Sequence, residues 1–124
     1  MTTKIKIIVQ DIILDGELAD TKCAKAIVDV LPIETRPSEW GDEFYFGIPV
    51  KMQSDETATT AVKIGDIGFW PPGNALAIFF GRTPISTGQD PVPASEVNRV
   101  GKIIGDATLL RRTKGAAKIK IVKA

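Results

Sequence analysis

The chain opens on alternation. Ile5, Ile7 and Val9 alternate with Lys4, Lys6 and Ile8, the two-residue period of a strand with one buried face. Residues 12–14 continue it, and Asp15-Gly16 ahead of Glu17-Leu18-Ala19 predicts a two-residue hairpin turn. Asp20 or Thr21 is placed to cap a helix whose apolar residues Cys23, Ala24, Ile27, Val28 and Leu31 fall on one stripe. Pro32 ends it. Residues 33–40 and 43–50 read as two strands joined through Gly41-Asp42. In the second, Phe44, Phe46, Ile48 and Val50 share one face, and Glu43 and Tyr45 share the other. Residues 53–60 form a polar loop.

Residues 64–70 and 75–80 make the most apolar hairpin, turning through Pro71-Pro72-Gly73-Asn74. Pro72 presets φ at the second turn position, and Gly73 is assigned the positive φ of the third. Residues 81–96 contain Pro84, Pro91 and Pro93 and have no periodicity. Connections this long are uncommon in compact domains and tend to carry function, so this one is expected to be mobile without a ligand. Residues 97–104 return as a strand. Asp106 then caps a short helix through Leu109, Leu110 and Arg112, ended by Lys114-Gly115, and residues 117–122 close the chain as a strand. This pattern gives about eight short strands and two short helices, which predicts a closed antiparallel barrel with a helix near each end.

Composition narrows the chemistry. At 124 residues the chain is expected to form one domain over 1–124, and 44% hydrophobic against 25% charged residues excludes a disordered chain. A net charge of +1 gives no electrostatic case for nucleic acid or an acidic membrane surface as partner. The longest uncharged run, 67–81, is too short and too broken by Pro71-Pro72-Gly73-Asn74 to cross a bilayer. The N-terminal residues lack the apolar segment of a signal peptide, so a cytoplasmic location is expected. There is no histidine. That removes the usual general base near neutral pH and the commonest metal ligand. The single cysteine, Cys23, is expected as a small buried hydrophobe, and no metal or cofactor is expected. Lys4, Lys6, Lys118, Lys120 and Lys123 read as a solvated strand face that blocks edge pairing.

Three segments resemble a shortened cyclophilin: Asp15-Gly16-Glu17 ahead of a helix ending at proline, Ile78-Phe79-Phe80, and residues 97–106 followed by Leu109 and Leu110. The pattern is closer still to a small prokaryotic family described as cyclophilin-like, whose role is not assigned. It is visible in Trp40-Gly41-Asp42-Glu43-Phe44-Tyr45-Phe46, and in Gly65-Asp66-Ile67-Gly68-Phe69-Trp70-Pro71-Pro72-Gly73-Asn74-Ala75-Leu76. Phe79-Phe80-Gly81-Arg82-Thr83-Pro84 and Pro93-Ala94-Ser95-Glu96-Val97-Asn98 continue it. The resemblance implies an eight-stranded barrel capped by helices.

It does not carry over the catalytic set. Cyclophilins lower a prolyl rotation barrier of about 20 kcal/mol by seating proline in an apolar pocket beside an arginine. The Phe-His-Arg and Gln-Gly-Gly-Asp segments have no counterpart here, and Ile78 stands where the family has glutamine. Phe80 stands at the place of the pocket phenylalanine. The expected reading is therefore a binding module for a proline-containing peptide or a small apolar ligand. Its cleft is placed beside Phe80, with Arg82, Glu43 and Tyr45 as polar handles. One alternative is a prolyl isomerase with a non-standard site using Arg82, which otherwise pairs with Asp66 or Asp90. The other is a structural or interaction subunit. Trp40 and Trp70 are read as plugs of the core or of the barrel ends. Asp42 and Glu43 point to opposite faces.

Overall fold

Alternation in the first strand resolves as predicted: in β1 (Thr3–Val9), Ile5, Ile7 and Val9 are buried and face the core. Its partner β2 (Ile12–Leu18) follows a turn at Gln10-Asp11, where Gln10 takes a φ of 55°. Asp15-Gly16 is therefore not the turn. Gly16 lies inside β2, between Ile5 of β1 and Ile103. A Cβ there would stand 3.1 Å from the Lys102 carbonyl oxygen and 3.3 Å from Ile5 Cγ1, so the glycine serves a close approach of strands.

Helix α1 (Lys22–Asp29) starts at Thr21, whose Oγ1 accepts from the Ala24 N–H at 3.2 Å, and it buries Cys23, Ala24 and Ile27. The Leu31–Pro32 peptide bond is cis, and Pro71–Pro72 is not. The strand expected over 33–40 divides at Arg36-Pro37 into β3 (Ile33–Thr35) and β4 (Ser38–Glu39). β5 (Glu43–Gly47) pairs with β4, and a short β6 (Ala58–Thr59) arises within the polar loop. β7 (Asp66–Trp70) and β8 (Ala75–Phe79) form the apolar hairpin through a 3-10 turn, Pro71–Gly73. The left-handed φ there, 46°, belongs to Asn74 and not to Gly73. β9 (Val97–Ile104), a 3-10 helix Ala107–Thr113 capped by Asp106, and β10 (Ile119–Lys123) complete the chain. The structure describes all residues, 1–124, and is a computed structural model.

The strands form one antiparallel sheet in the order β3-β10-β1-β2-β9-β7-β8-β5-β4, with β6 on β9. The architecture is mainly β, as expected. The ladder, however, is open and has ten strands, where eight in a closed barrel were expected. Its two ends, β3 and β4, are separated in sequence only by Arg36-Pro37. Thr35 and Ser38 are thus within about 11 Å of each other, and the sheet must curl until its ends are neighbours. Hydrogen bonds do not close it, and Pro37 has no N–H to offer.

The inner face holds the main core, including Ile5, Ile7, Leu18, Phe44, Phe69 and Phe80. A smaller cluster of Val62, Ala77, Phe79 and Val97, with Trp70 against it, lies apart from that core. β1 and β10 are interior to the strand order, so their lysines do not guard an edge. They make a mixed-charge face instead: Lys4 pairs with Glu17 (3.1 Å), Lys6 with Asp15 (2.7 Å) and Lys118 with Glu34 (3.4 Å). No helix is long and apolar enough to cross a membrane.

Candidate functional site

The site begins at the turn between β4 and β5, Trp40-Gly41-Asp42-Glu43. Gly41 supplies a φ of 61°, and the Trp40 N–H donates to the Glu43 carbonyl at 3.0 Å. The turn is clamped to the start of the 81–96 loop. Phe80 N–H donates to the Asp42 carbonyl (2.9 Å), and Asp42 N–H donates to the Arg82 carbonyl (2.8 Å). The Asp42 carboxylate meets Arg111 Nε at 3.2 Å and Lys114 Nζ at 3.0 Å.

Alternation along β5 then puts Glu43 and Tyr45 on the face opposite Phe44 and Phe46. In register, Glu43 lies beside Phe79 and Tyr45 beside Ala77, with Gly68 next in the same row. The small row leaves room: a Cβ on Gly68 would stand 2.7 Å from Val97 Cγ2. At the end of β7 the Trp70 indole N–H donates to Ser95 Oγ at 2.7 Å. A Cβ on Gly73 would be 2.7 Å from Trp70 Cζ3, so the ring is held between a loop hydroxyl and a bare glycine.

These groups enclose a cavity of about 190 Å³. Trp40, Tyr45 and Trp70 provide its aromatic walls, Pro93 and Ala94 come from the loop, and Val97 comes from β9. Glu43 is the only charged residue lining it. Its side chain is 8% exposed, and Oε1 has no hydrogen-bond partner. Burial pushes the Glu43 carboxyl up to about 7. No group of three or more His, Cys, Asp or Glu side chains is placed to hold a metal.

Of the four residues expected in a cleft, the structure brings Glu43 and Tyr45 together and separates the other two. Phe80 is fully buried, its ring centroid 4.7 Å from that of Phe44 inside the main core. Parity explains this: Phe79, not Phe80, is in register with Glu43. Arg82 is exposed and absent from the cavity, and its Nη2 donates to the Ser86 carbonyl at 3.0 Å. Asp66 and Asp90, its expected partners, pair with Arg99 (3.4 Å) and Lys63 (2.7 Å). Trp40 and Trp70, read as plugs, are cavity walls. For Trp70 the sequence does hold a signal, since it has the parity of Gly68 and not that of Ile67 and Phe69, which face the main core.

A family model described as Cyclophilin-like matches residues 3–122. The chain belongs to the cyclophilin-like family. The solution structure of the hypothetical protein AF2241 from Archaeoglobus fulgidus is similar to this cyclophilin-like chain, with a TM-score of 0.81 and 31% identity. The match covers 99% of this chain and 95% of that one. No curated protein matches. Family membership accounts for the sheet.

Proposed function

We propose that this cyclophilin-like chain is a binding module whose site is the aromatic-walled cavity, taking a small ligand or a peptide side chain with Glu43 as its polar anchor. One observation carries the reading. Both tryptophans and the single tyrosine of the chain line one cavity together with Glu43, whose Oε1 is buried and has no hydrogen-bond partner. All five phenylalanines, by contrast, are buried. A buried polar atom without a hydrogen bond is costly, and a ligand donor in the cavity relieves that cost. Few polar groups among apolar walls is also the usual make-up of a ligand pocket. The volume of about 190 Å³ is below the roughly 300 Å³ at which drug-sized pockets begin, so the occupant is a head group or one side chain.

Because both tryptophans line the cavity, intrinsic emission reports on it directly. Titration with proline-containing peptides and small apolar compounds should shift or quench that emission. Amide shifts should be confined to 40–45, 70 and 93–97. A stable oligomer whose spectra respond to no compound would count against the cavity and favour an interaction subunit. Proline-peptide turnover in a protease-coupled assay, lost in Arg82→Ala, would favour the isomerase.

A further inference from the structure

We infer that the cavity takes a small organic cation, a quaternary ammonium or guanidinium head, seated among Trp40, Tyr45 and Trp70 with Glu43 as its counter-ion. This rests on reading the cavity as a ligand site and adds the ligand's charge.

Two adjacent carboxyls differ sharply. Asp42 has two cations within 3.2 Å, Arg111 and Lys114, whereas Glu43, one residue on and nine-tenths buried, has none. Other cations of the chain are committed elsewhere: Arg82 to the Ser86 carbonyl, Arg99 to Asp66, Lys63 to Asp90. A buried acid without a partner stays neutral or acquires a charge from outside. The walls select which charge. The ring faces of tryptophan and tyrosine carry negative quadrupole density and attract cations, the more so when desolvated. An anion would meet the same faces and the Glu43 oxygen, and be repelled by both. Trp70 is oriented before any ligand arrives, since its N–H is spent on Ser95 and Gly73 leaves no room for a side chain against its ring. The Trp70 wall of the site is therefore preorganised.

A cation should bind the ionised form of Glu43. Tyr45 is the one further titratable lining residue, Asp42 points to Arg111 and Lys114, and Glu39 accepts from the Gly115 N–H at 2.6 Å. Glu96 precedes Val97 and is exposed. With the carboxyl at about 7, its ionised fraction rises about thirty-fold between pH 5.5 and pH 8.

The test titrates tryptophan emission with choline and with its uncharged isostere 3,3-dimethylbutan-1-ol at both pH values. Choline affinity is expected to rise by up to about thirty-fold at pH 8, following that ionised fraction. Glu43→Gln should abolish the rise and remove the preference for choline over the alcohol at pH 8. Tyr45→Leu, at an exposed position, should weaken choline binding more than alcohol binding and serves if the first variant fails to fold. An alcohol that binds as tightly as choline at pH 8 overturns the cation and leaves the binding module standing. The same holds if neither probe binds but a proline-containing peptide does. Silence toward every compound overturns both.

Discussion

At the residue scale, Glu43 decides most of what the site can do, and it leaves a mark on stability. Its carboxyl sits at about 7 when folded against an ordinary value of 4.5, with burial as the cause. The folded state therefore holds a proton, between those values, that the unfolded chain has already released. Stability from this group is highest below about pH 4.5 and falls as pH rises to about 7, by an amount on the order of 3 kcal/mol. Glu17, Asp20 and Asp106 slope the opposite way. The first is lowered by its bond from Lys4, the second by the chain's amino terminus and the third by Thr108, so each loses its contribution on acidification. Only a difference between variants isolates Glu43. Urea midpoints from pH 4 to 8 should show Glu43→Gln gaining on the parent chain as pH rises. Parallel profiles would mean that the carboxyl is solvated. Alternation along β5 makes Glu43 and Tyr45 legible as a pair from the sequence alone. Nothing local to Glu43 shows that it lacks a cation, because Arg111 and Lys114 reach its neighbour from about seventy residues away.

At the element scale, glycines separate what the sequence shows from what it hides. Asp15-Gly16 has the composition of a turn, yet the turn falls at Gln10-Asp11, and Gly16 instead eases the close approach of the Lys102 carbonyl. A turn dipeptide and a close strand contact call for the same residue, so composition alone could not choose between them. By contrast β9 is readable over its full length, Val97–Ile104, because both ends are marked by polar or glycine residues. Gly73 gives a direct test of the site's scaffold. With no space for a Cβ beside Trp70, Gly73→Ala should displace the ring, shift its emission and weaken ligand binding, at a stability cost of about 1–3 kcal/mol. Unchanged emission would show that the ring is not held there. The loop is uneven in the same way. Pro91 and Pro93 are buried and Thr83 Oγ1 donates to the Val92 carbonyl, whereas residues 87–90 are exposed. Hydrogen exchange should be fast at 87–90 and slow across β8. Equal protection would make the loop packed scaffold throughout.

At the scale of the whole molecule, one sheet carries two apolar clusters, and neighbouring phenylalanines serve different ones. Phe80 belongs to the main cluster against Phe44, and Phe79 belongs to the small cluster with Ala77, Val97 and Trp70. Both are fully buried, so truncation to alanine should cost each about 3–5 kcal/mol, read from urea midpoints. What differs is where the damage appears. Phe79 stands beside Glu43 in register, under the cavity, so Phe79→Ala should let Glu43 and Val97 settle inward, alter tryptophan emission and reduce ligand affinity. Phe80→Ala should open a void inside the curled sheet and leave emission and affinity near those of the parent chain. Phe79→Leu and Phe80→Leu keep the comparison available if either alanine variant fails to fold. In the sequence these two residues look alike, and the family resemblance favours Phe80 for the pocket. Only the pairing of β5 with β8 assigns them to opposite faces. If both variants disturb the tryptophans equally, the two clusters act as one core and the cavity has no independent support. If only Phe79→Ala does, the site rests on the outer cluster, and it can be weakened without the main core.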